Sequence, residues 1–540
     1  MNVAESGLVD RRRVLQLVGA SAATLYLPRS GWSQQRWISN PFTLGVASGS
    51  PTFDSVVLWT RLHVKAEPDA DLGRNPVTVR WELAHDEQFK RIAQSGQVRT
   101  SPELAHSVHV EVAGLEPDRW YFYRFIAGAA ASPVGRTRTF PKPDAAVNRL
   151  RLGYASCQKW EDGFFTAWRH MRDEDLDAVM FLGDYMYEYP AINGRVRVPP
   201  GGWVLGLDDY RQRYALYKGD ADLQSMHAAC PWLMTWDDHE VQNDYAGLQA
   251  GNSGFFDPSS PHNFLTRRAA AYQAYYEHMP IRAAALTQGL AGLANATGNG
   301  AEVRIYTRLQ YGRLAALYLL DARQYKDPQV CTKGGAMGSG TVNPAQCPAW
   351  NAPQRSMLGL AQERWLNDEF ATTQTRETSW NVLAQSTLFG QRDVKPGPGQ
   401  TLWNDGWDGY VAARTRMTDA WRGHAVPNPV LLGGDMHENW VGHVKADYAD
   451  ANSASVGVEF CGTSITSRSG GNAKTPERLA ENPHFVFADA QRKGYGVAEF
   501  TPGQLSTTLR VVDDVTSRDT KIETLARFVV QSGRSAVERA

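Results

Sequence analysis

Hydrophobic and polar positions form two patterns along the chain, and the change between them lies near residue 143. Before it, Val77-Thr-Val-Arg-Trp-Glu-Leu83, Ser107-Val-His-Val-Glu-Val112 and Trp120-Tyr-Phe-Tyr-Arg-Phe125 put alternate side chains on one face. That is the period of a half-buried strand. Leu44–Gly49, Val56–Thr60 and Thr137–Phe140 add further strands between Ser, Pro, Asp and Gly turns, so residues 34–143 predict an all-β domain. After Pro141-Lys-Pro-Asp144 the pattern becomes short, mainly apolar runs separated by helical stretches, as in α/β sheets covered on both faces. The runs are Leu150–Ala155, Ala178–Leu182, Trp232–Trp236, Leu314–Leu320, Asn381–Ala384, Val430–Leu432 and Val456–Cys461. Phe164–Arg172 and Leu265–His278 read as helices, 285–300 as an exposed Ala/Gly-rich loop, and 494–512 as two late alternating strands. Leu525, Phe528 and Val529 form an apolar stripe at helical spacing. They predict a helix over Glu523–Val537, in a segment 519–540 set apart from a domain at 144–518. With Arg527 and Arg534 seven residues apart on one face, this helix either covers a cleft as a lid or packs on a sheet edge.

The polar residues that end the apolar runs carry the chemistry. Gly183 breaks the run Ala178–Leu182 and is followed by Asp184 and, three residues on, Tyr187. Ligands in α/β sheets bind at the carboxyl ends of strands, so both side chains can reach one point there. The same event recurs at Cys157, at Asp237-Asp238-His239-Glu240 and at Asp435-Met-His437. Thiolate, carboxylate, imidazole and phenolate mix soft and hard donors, and together they point to a metal site. No P-loop and no GxSxG elbow is present.

Composition narrows the setting. At 540 residues the chain is too long for one core, and its net charge of −1 gives no bulk field toward a stable nucleic acid complex or an anionic surface. Arg11-Arg12, an apolar run from Leu15 to Leu27 and the small-x-small site Gly31-Trp32-Ser33 predict a cleaved leader over 1–33. The arginine pair resembles a twin-arginine signal. Such a leader implies the twin-arginine export machinery as a partner, a periplasmic or secreted protein, and folding around any metal before export. No other apolar run reaches the ~18 residues of a transmembrane helix. Of the five cysteines, Cys331 and Cys347 flank a Gly/Pro/Ala-rich insertion and are candidates for a disulfide in an oxidising compartment.

Three motifs, Asp184-x-x-Tyr187, Asp238-His239-Glu240 and Gly434-Asp435-x-His437, resemble those of calcineurin-like metallophosphoesterases in the branch related to purple acid phosphatases. Together with Ala155-Ser-Cys157 and Gly433-Gly434 they resemble the PhoD-like alkaline phosphatase family over most of residues 38–512. The turn Leu115-Glu-Pro117 into an aromatic strand resembles the tyrosine-locked corner of fibronectin type III sandwiches. The family resemblance implies a four-layer αββα sandwich behind a fibronectin III-like β-domain, which either grips polymer or wall or simply packs and positions. It implies Fe3+ and Ca2+ cofactors. Cys157, Asp184, Tyr187 and His437 would ligate iron; Asp184 would bridge to calcium, completed by Asp238 and Asp435. The common motif has Asn in place of Asp238 and His in place of Asp435, so this chain makes the second side richer in oxygen, which suits Ca2+. Asn243 is a further candidate ligand or a plain turn residue. His239 stabilises the transition state, protonates the leaving oxygen, or instead orients a ligating carboxylate. The expected reaction is in-line hydrolysis of phosphate monoesters, and of diesters, by a metal-activated water, for phosphate scavenging. Two readings stand beside it: a phospholipase D-like diesterase on the same site, and a non-catalytic phosphate- or wall-binding protein.

Overall fold

The unbroken apolar runs become strands buried along their whole length, as at Ala178–Leu182, Ala315–Leu319 and Pro429–Gly433. Such strands need cover on both faces, and two facing sheets with outer helices supply it. The computed structural model describes residues 37–64, 72, 75–251, 261–286 and 302–540, so the expected leader over 1–33 and nearly all of the expected loop 285–300 lie outside the described residues.

In the ten-stranded sheet Leu150–Ala155, Ala178–Leu182 and Trp232–Thr235 run parallel at the centre. Antiparallel Lys493–Phe500, Gln504–Val512 and Ile522–Gln531 extend it on one side. The seven-stranded sheet has a parallel centre of Ala315–Leu319, Trp380–Ala384, Pro429–Gly433 and Ser455–Cys461. Alternation decides which face meets what. Met180 and Leu182 enter the core between the sheets with Leu152, Leu317, Val382, Leu432 and Phe460. Val179 and Phe181 point the other way, against Trp168 and Met171 of the helix Thr166–Arg172 and Tyr275 of Pro261–His278. On the far side Leu366, Phe370, Met417 and Trp421, from the helices Leu360–Phe370 and Val411–Gly423, cover Tyr318, Leu383 and Leu431. The order helix, sheet, sheet, helix is the expected four-layer sandwich.

The expected C-terminal helix is a correction. Residues Ile522–Gln531 form a strand antiparallel to Gln504–Val512, and Glu538–Arg539 pairs back on it. Phe528 fits both a helical stripe and a period-two pattern, and the sheet chose the second: Ala526, Phe528 and Val530 are buried between the sheets, while Leu525 and Val529 are only half-buried. Truncating a buried Phe costs about 3–5 kcal/mol, so this segment is core and not a lid.

The N-terminal strands divide between two sheets. Ile92–Arg99, Thr78–Ala84, Trp120–Ala127 and Gly135–Arg138 pack with Leu58, Val110 and Val112, as a sandwich. The Tyr121 hydroxyl accepts the Glu116 N–H at 3.0 Å, the tyrosine corner that the turn sequence resembles. The sandwich's other half, Val46–Gly49, Ser55–Arg61 and Ser107–Ala113, is continuous with the ten-stranded sheet through the pair Gly49–Trp232. A Cβ on Gly49 would lie 2.4 Å from the Pro280 carbonyl oxygen, so this junction requires glycine.

Candidate active site and metal centre

The parallel strands of both sheets deliver their carboxyl ends to one cleft, where the chain turns abruptly. Cys157, Asp184, Asp435 and His437 all sit in the left-handed region, with φ of 58°, 58°, 62° and 56°. A non-glycine residue there costs on the order of 1–2 kcal/mol, and such outliers gather at functional sites. Backbone bonds between strand ends hold these turns. The Cys157 N–H donates to the Gly183 carbonyl at 3.1 Å, Gln158 to Asp184 at 3.1 Å, Gly434 to Ser386 at 3.0 Å and Ile465 to Ser156 at 3.0 Å. Gly183, at φ 101°, has no room for a side chain, because a Cβ would lie 2.6 Å from the Asp237 backbone nitrogen.

The expected iron ligands meet. Ligating atoms of Cys157, Asp184 and His437 lie within 4.8 Å of one another. The Tyr187 hydroxyl joins them, donating to Asp184 Oδ2 at 2.8 Å and lying 3.2 Å from His437 Nε2. Ser467 Oγ, 2.8 Å from the same hydroxyl, fixes it from behind. A second group, Asp184, Asp238 and His239, shares Asp184 with the first, and Asp238 leads on to a third with Asp244 and Asp405. Asp435 is buried and accepts from Thr387 Oγ1 at 2.8 Å. It belongs to none of the three groups found among the described residues. Asn243 enters through its backbone, donating to Glu188 Oε1 at 2.8 Å.

These donors fit cations. Burial, followed by the charge of Asp184, pushes the Cys157 thiol well up; burial with Asp184 and Cys157 does the same to Tyr187. Burial and the neighbouring Asp238, Asp237 and Glu240 raise Asp184 far above the carboxylate range, against the pull of His239. Burial, then Lys493, lowers His437 to about 3, which keeps it an unprotonated donor. Acids crowded into one dry cleft must stay protonated unless a positive charge joins them, and Asp184 Oδ1 is buried with no hydrogen-bond partner. The second and third groups are oxygen-rich and the first carries the only thiol of the three, a division that matches a transition-metal ion on one side and an oxygen-seeking ion on the other.

Several residues of the site lay outside the sequence expectations. Glu188, fully buried, accepts from His239 Nδ1 at 2.7 Å. Burial opposes charge on His239, but Glu188, Asp184 and Asp238 outweigh it and raise its pKa well above the usual imidazole value. Arg323, also buried, lies 2.5 Å from Asp237, 3.4 Å from Asp238 and 2.7 Å from Asp405. Lys326 adds 2.6 Å to Asp405. Cys331 and Cys347, candidates from their flanking positions, form a disulfide. The loop it closes is fixed by Asn404, which bonds Val330 O and the Gly340 N–H, and by Ser339, which bonds Asp244. Glu188 had a signal, sitting one residue past Tyr187; Arg323 and Asp405 had none, because only the fold brings them to Asp238. Glu188→Gln removes the charge and keeps an acceptor for only one of its two donors, His239 Nδ1 or the Asn243 N–H, and is expected to lower kcat about 10- to 100-fold with unchanged metal content by elemental analysis.

Facing sheets with acids, thiol and imidazole at their joined strand ends define a metallophosphoesterase-type sandwich. Comparison with known proteins gives the family. Residues 152–509 match the PhoD-like phosphatase model and residues 28–141 the PhoD-like phosphatase N-terminal domain. Alkaline phosphatase D of Bacillus subtilis (strain 168) is 41% identical over 511 residues, covering 93% of this chain and 82% of that one. A solved structure of PhoD superposes with a TM-score of 0.84 at 40% identity, over 94% of this chain and 93% of the other. The chain belongs to the PhoD-like phosphatase family and is a phosphoric ester hydrolase. That sets aside the non-catalytic phosphate trap. No described helix is long and apolar enough to cross a membrane.

Proposed function

We propose that the chain is an exported, metal-dependent phosphoesterase that hydrolyses phosphate monoesters, and diesters on the same residues, to recover phosphate outside the cytoplasm. The observation that carries this is the shared carboxylate: Asp184 belongs both to the thiol–phenol–imidazole group and to the group of Asp238 and His239. Cys157, Asp184, Tyr187 and His437 would hold Fe3+. Asp184, Asp238 and Asp435 would hold Ca2+, with Asp244 and Asp405 extending the oxygen-rich side. Bound there, the ions supply Lewis acidity for the attacking water and neutralise charge gathering on the phosphoryl oxygens.

The protein's own residues then have distinct tasks. Glu188 holds His239 by Nδ1, leaving Nε2 to give its proton to the departing alcohol oxygen. Thr387 fixes one oxygen of Asp435 and Ser467 fixes the Tyr187 oxygen, so the donors are set before substrate arrives. Arg323 balances the acids behind the cleft. The twin arginines and the Cys331–Cys347 bond support export into an oxidising compartment. The deciding assay measures turnover of p-nitrophenyl phosphate and of its bis ester, with Ca2+ and after chelation. Monoester turnover lost on chelation and restored by Ca2+ is expected. Turnover indifferent to chelators would overturn the metal assignment, and a strong bis-ester preference would make the diesterase reading primary.

A further inference from the structure

Resting on the hydrolase reading, we propose that Lys159 is the residue that selects monoesters, taking the extra negative charge of a phosphoryl dianion that a diester lacks. Lys159 lies two residues beyond Cys157, in the turn that leaves the strand Leu150–Ala155. It is only 9% exposed. Its backbone is pinned to the loop that also carries Ser467: the Lys159 N–H donates to Ser467 Oγ at 3.3 Å, and its carbonyl accepts from Thr466 Oγ1 at 2.7 Å. The ammonium lies 5.3 Å from the Tyr187 ring centre and 4.8 Å from that of Tyr189. These are the two rings that flank His239, at 4.1 and 5.2 Å. Lys159 therefore borders the same aromatic pair as the group assigned to the leaving oxygen.

Four other cations near these residues are already engaged. Lys493 donates hydrogen bonds to His437 O at 2.7 Å and Ser469 Oγ at 2.6 Å. Arg213 donates to the Tyr187 and Tyr189 carbonyls, Arg195 to Asp162, and Arg323 pairs with the acids behind the site. Lys159 Nζ donates to no described atom. Its nearest acid is Glu161, at 3.7 Å, beyond hydrogen-bonding reach; Glu161 is itself fully buried with both carboxylate oxygens unpartnered. Such an arrangement keeps a positive charge in place without using its donors. Its three N–H groups are thus uncommitted among the described residues, beside the Tyr187 and Tyr189 rings, and an oxyanion of the substrate is a group they can meet. A monoester at neutral pH carries more charge on those oxygens than a diester does, so a fixed cation favours it.

The test uses the metal-loaded full chain with Lys159→Met, which keeps length and apolar stem, and Lys159→Gln, which keeps a donor without charge. Monoester kcat/KM is expected to fall about 10- to 100-fold, with the inhibition constant of inorganic phosphate rising in step. The loss on the bis ester should be several-fold smaller, and Lys159→Arg should recover most monoester activity. Equal losses on both esters with an unchanged phosphate inhibition constant would overturn the proposal, whichever neutral variant folds. Failure of the parent protein on both esters would instead count against the hydrolase reading, and calorimetric phosphate binding to parent and variants would then decide the role of Lys159.

Discussion

Asp184→Asn is expected to give a folded protein whose turnover of p-nitrophenyl phosphate falls about a thousandfold or more. Asp184 is the carboxylate that joins the thiol-bearing group to the group of Asp238 and His239, and its Oδ1 has no hydrogen-bond partner. Oδ1 is therefore left for a ligand from outside the protein, while Oδ2 accepts the Tyr187 hydroxyl. The change to Asn is isosteric and keeps an acceptor for the Tyr187 hydroxyl, now 2.8 Å away. Without a cation the parent carboxyl is already driven toward its neutral form by burial, then by the acids around it, so a neutral amide costs the metal-free fold little. Chelated parent and variant should melt at the same temperature, whereas only the parent should gain stability when metals are added, because binding to the native state alone stabilises it. Elemental analysis should show calcium lost and iron reduced. Near-parent kcat with both metals retained would remove Asp184 from the centre of the site.

Much of this was legible in the sequence because the fold reuses one local event. An unbroken apolar run must be a strand covered on both faces, and the residues after it must turn at a sheet's carboxyl edge. Ala178–Leu182 followed by Gly183-Asp184 can be read that way without coordinates, and four such ends carrying donor side chains announce a shared site. The partnership between sheets could not be read. Nothing in Ala322-Arg323 or Asn404-Asp405 signals that these residues meet Asp238, since the contact exists only once two sheets face each other. The C-terminal strand failed for a different reason. In Leu525-Ala-Arg-Phe-Val-Val530 apolar residues occupy both strand-like and helix-like positions, so periodicity alone does not choose. The open edge of Gln504–Val512 chose, by offering backbone partners from residue 522 to 531. The N-terminal sandwich was visible as strands, but the joining of half of them to the main sheet rests on Gly49 and Trp232 alone, too small a feature to stand out along the chain.

The other large effect concerns colour. If Cys157 and Tyr187 both bind Fe3+, electron density can pass from thiolate and phenolate into the metal, and the purified protein should absorb visible light. Both side chains meet Asp184: ligating atoms of Cys157 and His437 cluster with it, and the Tyr187 hydroxyl touches both Asp184 and His437. Both are pushed toward their protonated forms by burial, then by Asp184, so a strongly charged ion is what would deprotonate them. Tyr187→Phe keeps the ring against His239, 4.1 Å away between centres, and removes only the oxygen. Cys157→Ser exchanges a soft donor for a harder, poorer one. Each should shift or weaken the visible band, with iron content falling in parallel and the melting temperature of the chelated protein unchanged. Chelation of calcium should abolish turnover and leave the band, because Asp238, Asp244, Asp405 and Asp435 are carboxylates with no low-lying charge-transfer donor. A colourless and fully active protein holding only zinc or magnesium would refute iron while leaving the hydrolase standing on Asp184, Asp238, His239, Asp435 and His437.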